Sequence, residues 1–142
     1  MKILSWNIRQ GGGTRSEAIS NALITEGCDM IVLSEFQNNA AGQLIRIKVL
    51  MNGYFFQSPS SEDKKKNGVL IAARKPFSFI LDTHTLDFPE SVIKQNGYRY
   101  DHTWISKKLE SIIKECYYLY EWRKQGMSDH SPMILHLSQP TN

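Results

Sequence analysis

Asn7, within Ser5-Trp6-Asn7, Glu35, within Leu33-Ser34-Glu35, and Asp129-His130, within Gly126-Met127-Ser128-Asp129-His130-Ser131-Pro132-Met133, bring an amide, two acids and an imidazole to the borders of apolar runs. Burying such groups without a partner is costly, and a divalent cation carrying a phosphate is a partner that all four can serve. A hard cation such as Mg²⁺ takes oxygen ligands, needs only one or two carboxylates, and fills the rest of its shell with water and phosphate oxygens. Glu35 is the first choice of ligand. Asn7 offers a carbonyl oxygen and an amide donor without adding negative charge, which suits it to assist the metal or to hold a phosphate or a water. His130 can carry a proton near neutral pH and, as an imidazolium, would stabilise charge developing on phosphoryl oxygens. Each residue also has a plain reading on its own. Asn7 before Gly11-Gly12-Gly13 could be a turn residue, Glu35 a solvated strand end, and Asp129 an Asx-turn ahead of Pro132.

The elements that must position these groups follow from periodicity. Residues 2 to 8 alternate around Ile3, Trp6 and Ile8 and predict a strand that the three glycines end. Thr14 is expected to cap a helix over 15–26, with Glu17 in capping-box position and Gly27 as the stop. The apolar run 30–33 predicts a second strand, so 2–35 reads as a right-handed strand, helix, strand unit whose parallel strands end together at Asn7 and Glu35. Helical spacing of Leu44, Ile47 and Met51 predicts a helix over 40–52. Strands are expected over 54–57, 69–73, 77–86, 100–105, 117–122 and 132–137, and a short helix over 107–114. The polar stretch 58–67, with Lys64-Lys65-Lys66, reads as a solvated hairpin tip, and 87–97 shows no periodicity. His84 and His136 read as structural, His102 is expected on the strand face opposite Asp101 and is not assigned to the site, and the aromatic residues Tyr117, Tyr118, Tyr120 and Trp122 read as packing groups rather than base-stacking ones.

Composition bounds the reading. A chain of 142 residues, 41% hydrophobic and 22% charged, is sized for one domain with its own core. A net charge of +3 permits a polyanionic substrate without demanding one. Cys28 and Cys116 form no close-spaced metal motif and are expected to be buried free thiols in a reducing compartment. Asn7 and Arg9 interrupt the first apolar run too soon for a signal region, and no run approaches the roughly 18 residues of a membrane span. The expectation is a soluble, cytoplasmic protein.

Five segments occur together in a familiar order: Lys2-Ile3-Leu4-Ser5-Trp6-Asn7-Ile8, Asp29-Met30-Ile31-Val32-Leu33-Ser34-Glu35, Asn67-Gly68-Val69-Leu70-Ile71, Arg99-Tyr100-Asp101-His102 and Ser128-Asp129-His130-Ser131-Pro132. In this the chain resembles the endonuclease/exonuclease/phosphatase superfamily, which includes exonuclease III, apurinic endonucleases and DNase I-like enzymes. The resemblance implies an α+β fold in which a two-sheet β-sandwich is flanked by helices, with the active site at the strand ends. It further implies Mg²⁺, with Mn²⁺ as a substitute, and a nucleic acid or other phosphodiester substrate. In the family pattern Asp101 accepts a hydrogen bond from His130 and fixes its tautomer, while Asp129 serves the metal region or, alternatively, acts on the attacking water. Arg99, beside Asp101, would contact a substrate phosphate.

One departure matters. Members carry a long middle section with a Gly-Asp-x-Asn motif, whereas this chain contains no Gly-Asp pair, and residues 88–98 stand where that section would be. The aspartate that activates the nucleophile is thus missing, and only Asp87 lies nearby. Two expectations therefore compete: a compact metal-dependent phosphoesterase acting on nucleic acid, and a catalytically impaired relative that binds phosphate-bearing partners or serves as a scaffold. Loss of central strands would also leave sheet edges uncovered, which predicts a homodimer.

Overall fold

Alternating apolar residues place β1 at Lys2–Asn7 and the mostly apolar run that follows places β2 at Met30–Phe36, joined by the helix α1 (Ser16–Glu26). The two strands pair in parallel, with Leu4 opposite Ile31 and Trp6 opposite Leu33. The structure is a computed structural model describing residues 1–61, 63–77 and 107–138. The remaining described elements are α2 (Ala40–Met51), β3 (Phe56–Pro59), β4 (Gly68–Ala73), β5 (Ile113–Tyr118), α3 (Tyr120–Lys124) and β6 (Met133–Leu137). The described strands form one six-stranded sheet in the order β3-β4-β2-β1-β6-β5. Every pairing except β1 with β2 is antiparallel. The mixed α+β class expected from sequence is therefore observed. The expected strands 77–86 and 100–105, the segment 88–98, and His84, Asp87, Arg99, Asp101 and His102 lie outside the described residues, apart from Phe77.

Register decides which side chains share the core. Leu4, Trp6, Ile31, Leu33, Leu70, Ala72 and Ile134 fall on one face of the sheet, and this face meets Ile19 and Leu23 of α1 and Ile45 and Val49 of α2 in a single buried cluster. Because β2 and β4 run antiparallel, the start of β4 lies beside the end of β2. Likewise β6 runs antiparallel to β1, so the loop before β6 arrives at the end of the sheet that holds Asn7.

A β-bulge interrupts β2 against β4 between Ser34 and Phe36. Strict alternation after Leu33 would put Glu35 on the buried face and Phe36 on the other. The extra residue restores Phe36 to the core, where it is 2% exposed, and leaves Glu35 as the unpaired position with φ 52°. The carboxylate is thereby turned out of the core at the strand end.

Several local expectations need correction. Thr14 does not cap α1, because residues Gln10–Arg15 form a 3-10 segment with left-handed glycines and the helix starts at Ser16 without a side-chain cap. Glu17 instead pairs with Lys48 of α2. The expected helix over 107–114 is a 3-10 segment at Lys107–Ile112 followed by β5. The expected strand over 117–122 ends at Tyr118, and Trp122 lies on α3, where it packs on Trp6 with ring centroids 5.0 Å apart. That core contact outweighs the strand preference of the aromatic run. Cys28 is buried, and burial pushes its thiol up to about 11, whereas Cys116 is exposed on β5, at the edge of the described sheet. Among the described residues no helix is long and apolar enough to cross a membrane.

α2 begins at an Asn39 cap whose side-chain oxygen accepts the Gly42 N–H at 3.1 Å, and its first turn lies directly on the bulge. A Cβ at Gly42 would stand 1.9 Å from the Gln37 carbonyl oxygen and 2.9 Å from the Phe36 ring. Backbone cannot step aside as a side chain can, so Gly42→Ala is expected to cost about 3 kcal/mol of stability, at the upper end of overpacking effects. Urea unfolding checks this, and an unchanged midpoint would refute the close approach.

Candidate active site

At the carboxyl ends of β1 and β2 the Asn7 amide donates from Nδ2 to Glu35 Oε1 at 2.9 Å. Its orientation is set from the other side, because Asn7 Oδ1 accepts the Arg9 N–H at 2.9 Å. The Gln10 N–H donates to Glu35 Oε2 at 3.1 Å, so both carboxylate oxygens are held. The turn that presents these two N–H groups runs through left-handed backbone at Arg9 (φ 53°) and Gln10 (φ 50°). Non-glycine residues in that region are strained, and such strain persists only where surrounding contacts hold it. Gly11 lets the turn close on β2, since a Cβ there would lie 3.0 Å from Gln37 Cβ.

Electrostatics follow the geometry. The hydrogen bond from Asn7, and after it the Gln10 N–H, hold the Glu35 carboxyl below its ordinary value. Burial opposes this, the charge of His130 assists, and that of Asp129 opposes. Glu35 is thus an ionised carboxylate with His130 and Asp129 within its electrostatic reach.

The loop before β6 supplies those two residues. Ser128 is buried, donates from Oγ to the Asn7 carbonyl oxygen at 2.7 Å, and accepts the His130 N–H at 3.3 Å. Trp6 Nε1 donates to the His130 carbonyl oxygen at 3.0 Å. Asp129 Oδ2 lies 3.7 Å from Arg9 Nε, with the two side chains 54% and 61% exposed, an ion pair of little energetic weight. Asn7, Glu35, Asp129 and His130, all selected from sequence, are therefore brought to one end of the sheet. Asp101 and Arg99 lie outside the described residues. His136 sits apart on β6, where its Nδ1 is 3.2 Å from Glu115 Oε1.

Sequence reasoning did not find Arg9, Gln10, Arg15 and Ser128. The first two act through main-chain N–H groups, which no residue type reveals. Three consecutive glycines directly after Asn7-Ile8-Arg9-Gln10 were the available signal that the backbone there must take left-handed conformations.

The donor set bears on metal binding. Glu35 offers two oxygens that each accept one N–H, and a carboxylate has lone pairs for about four such contacts. Among the described residues no three acidic, histidine or cysteine side chains cluster as a metal cage. One carboxylate beside an amide oxygen suits a cation that keeps most of its water, as Mg²⁺ does.

No known family profile and no curated protein matches the chain. Solved structures with a similar arrangement include D. rerio TDP2 complexed with a single-stranded DNA product, at 23% identity and a TM-score of 0.43 over 52% of this chain and 29% of that one. A D. rerio TDP2 humanized by 14 mutations matches at 24% identity and a TM-score of 0.42, over 52% of this chain and 31% of that one. An endonuclease/exonuclease/phosphatase protein from Beutenbergia cavernae DSM 12333 matches at 18% identity and a TM-score of 0.43, over 56% of this chain and 27% of that one. The chain thus spans less than a third of the length of the solved TDP2 and Beutenbergia proteins it matches.

Proposed function

We propose that this chain is a single-domain, shortened member of the endonuclease/exonuclease/phosphatase superfamily and a divalent-metal-dependent phosphoesterase acting on nucleic acid phosphodiester bonds. The observation that carries this reading is the Asn7–Glu35 hydrogen bond at 2.9 Å, locked by two main-chain N–H groups at the ends of adjacent parallel strands. That is a costly arrangement for an Asn turn and a solvated Glu, and a useful one for a preorganised anion. The two-sheet β-sandwich flanked by helices is part of this reading.

Glu35 would hold the cation, with Asn7 and Asp129 at its border, and a bound Mg²⁺ or Mn²⁺ would supply positive charge to the phosphoryl oxygens. His130, as an imidazolium, stabilises the charge that builds on those oxygens as water bonds to phosphorus and the ester P–O bond breaks. Asn7 holds Glu35 through its amide N–H while its carbonyl oxygen is held by the Arg9 N–H. Asp101 is assigned the orienting of His130, and Arg99 a phosphate contact. A second reading, an impaired phosphate-binding relative or dimeric scaffold, is favoured by one observation: the sequence contains no Gly-Asp pair to supply the activating aspartate. The protein is proposed to work in the cytoplasm as a homodimer, for which light scattering should give twice the monomer mass.

Hydrolysis of plasmid DNA and of bis-p-nitrophenyl phosphate should require Mg²⁺ or Mn²⁺, and Glu35→Ala and His130→Ala should each lower kcat by roughly 10²–10⁴-fold. Activity indifferent to both substitutions would belong to a contaminant and remove the enzyme reading. A pH series adds a second check. The folded pKa of Glu35 is depressed, so its contribution to stability is fully present above the unfolded carboxylate value of about 4.3 and is lost as pH falls through the lower folded value. Glu35→Gln should therefore flatten the acid limb of the unfolding midpoint below that pH and leave the neutral limb parallel to the wild type.

A further inference from the structure

The two loops that carry the site, residues 8–13 and 127–130, are remote in sequence, and the main chains of both are bound by one side chain. Arg15 Nη1 donates to the Met127 carbonyl oxygen at 2.6 Å, while Nη2 donates to the carbonyl oxygens of Ile8 at 3.2 Å and Arg9 at 2.8 Å. A guanidinium is suited to this because its donors form a rigid planar fork. Of the other contacts, Ser128 to Asn7 and Trp6 to His130 reach only the strand end, and the exposed Arg9–Asp129 ion pair at 3.7 Å joins two side chains and carries little energy.

The consequence lies in the covalent geometry of the peptide unit. The Ile8 carbonyl and the Arg9 N–H belong to one planar peptide group, and so do the Arg9 carbonyl and the Gln10 N–H. Arg15 grips the oxygen end of each plane. At the opposite ends, the Arg9 N–H holds Asn7 Oδ1 and the Gln10 N–H holds Glu35 Oε2. Turning either plane away from Arg15 would turn its N–H away from the site. Arg9 and Gln10 are also the two residues of this turn held in strained left-handed backbone without being glycine, so the turn needs such a grip.

We propose that Arg15 is the positioning residue of this site: by fixing two successive peptide planes and the Met127 carbonyl, it sets the Asn7–Glu35 pair and its register with the Asp129-His130 loop. This rests on the phosphoesterase reading for its catalytic consequence, but not for the clamp itself. Lysine carries its charge as a compact ammonium and lacks the fork, so Arg15→Lys keeps the charge while losing simultaneous contact with three carbonyls. Arg15→Gln serves as a second variant, keeping an amide donor without the charge.

The test combines amide hydrogen exchange with steady-state kinetics on bis-p-nitrophenyl phosphate, using the full chain with Mg²⁺. In a folded Arg15→Lys or Arg15→Gln protein, the Arg9 and Gln10 amides should exchange faster while those of the central strands stay protected. Over the same change kcat should fall by roughly 10- to 100-fold, as expected for a misplacement on the scale of 1 Å, with KM held. Unchanged exchange at Arg9 and Gln10 would overturn the clamp. Faster exchange with unchanged kcat would overturn its role in catalysis, as would a rise in KM alone. If the wild-type protein hydrolyses neither substrate, the phosphoesterase reading fails, and the exchange result alone then supports or overturns the clamp.

Discussion

A strand that is buried on one face and must deliver an acid at its end faces a conflict of parity, and in β2 the bulge at Glu35 resolves it. Leu33 and Phe36 both belong to the core face, three residues apart, which a regular strand cannot satisfy. Inserting one unpaired residue satisfies both and gives Glu35 a direction that neither face of the sheet offers. The position is expensive, since its backbone is left-handed, and the expense is met by the hydrogen bonds that the carboxylate collects from Asn7 and Gln10. In a regular strand continuing from Leu33, Phe36 would leave the core and a carboxylate would enter it.

Around that point the chain builds a frame from main-chain groups as much as from side chains. The turn after β1 contributes N–H donors, the loop before β6 contributes carbonyl acceptors, and Arg15 and Ser128 connect them. The tilted packing of Trp122 on Trp6 carries the short helix α3 against the same end of the core. The polar residues of the site are therefore supported from beneath by aromatic packing and from the side by hydrogen bonds, an arrangement that limits how far any one of them can drift.

Much of this was legible in the residue pattern. The β1-α1-β2 unit follows from two strand-like runs around a helical one, and parallel pairing then obliges Asn7 and Glu35 to share an end. Asp129 and His130 could be named from the motif before Pro132, though only the antiparallel return of β6 brings them to that end. What the pattern hid has physical reasons. Trp122 reads as part of an aromatic strand because alternation in Tyr118, Tyr120 and Trp122 is local, whereas its partner Trp6 is more than a hundred residues away. Thr14 and Glu17 fit a capping box that the glycine turn displaces, because the loop must bring Arg15 back beneath β1. Cys116 reads as buried from its aromatic neighbours, yet β5 is the last strand of the described sheet and its residues from Ile113 to Cys116 are all exposed.

The pairing of β1 with β6 carries a consequence for how the protein comes into being. Lys2 is matched to His136, so β1 stays without this partner until β6, more than a hundred residues later, has been made. Contacts of such separation are slow to form because the intervening loop must close before they yield any stabilisation. The two halves of the site ride on opposite sides of that closure. Asn7 and Glu35 are placed by the pairing of β1 with β2, whereas Asp129 and His130 join them only when β6 pairs with β1.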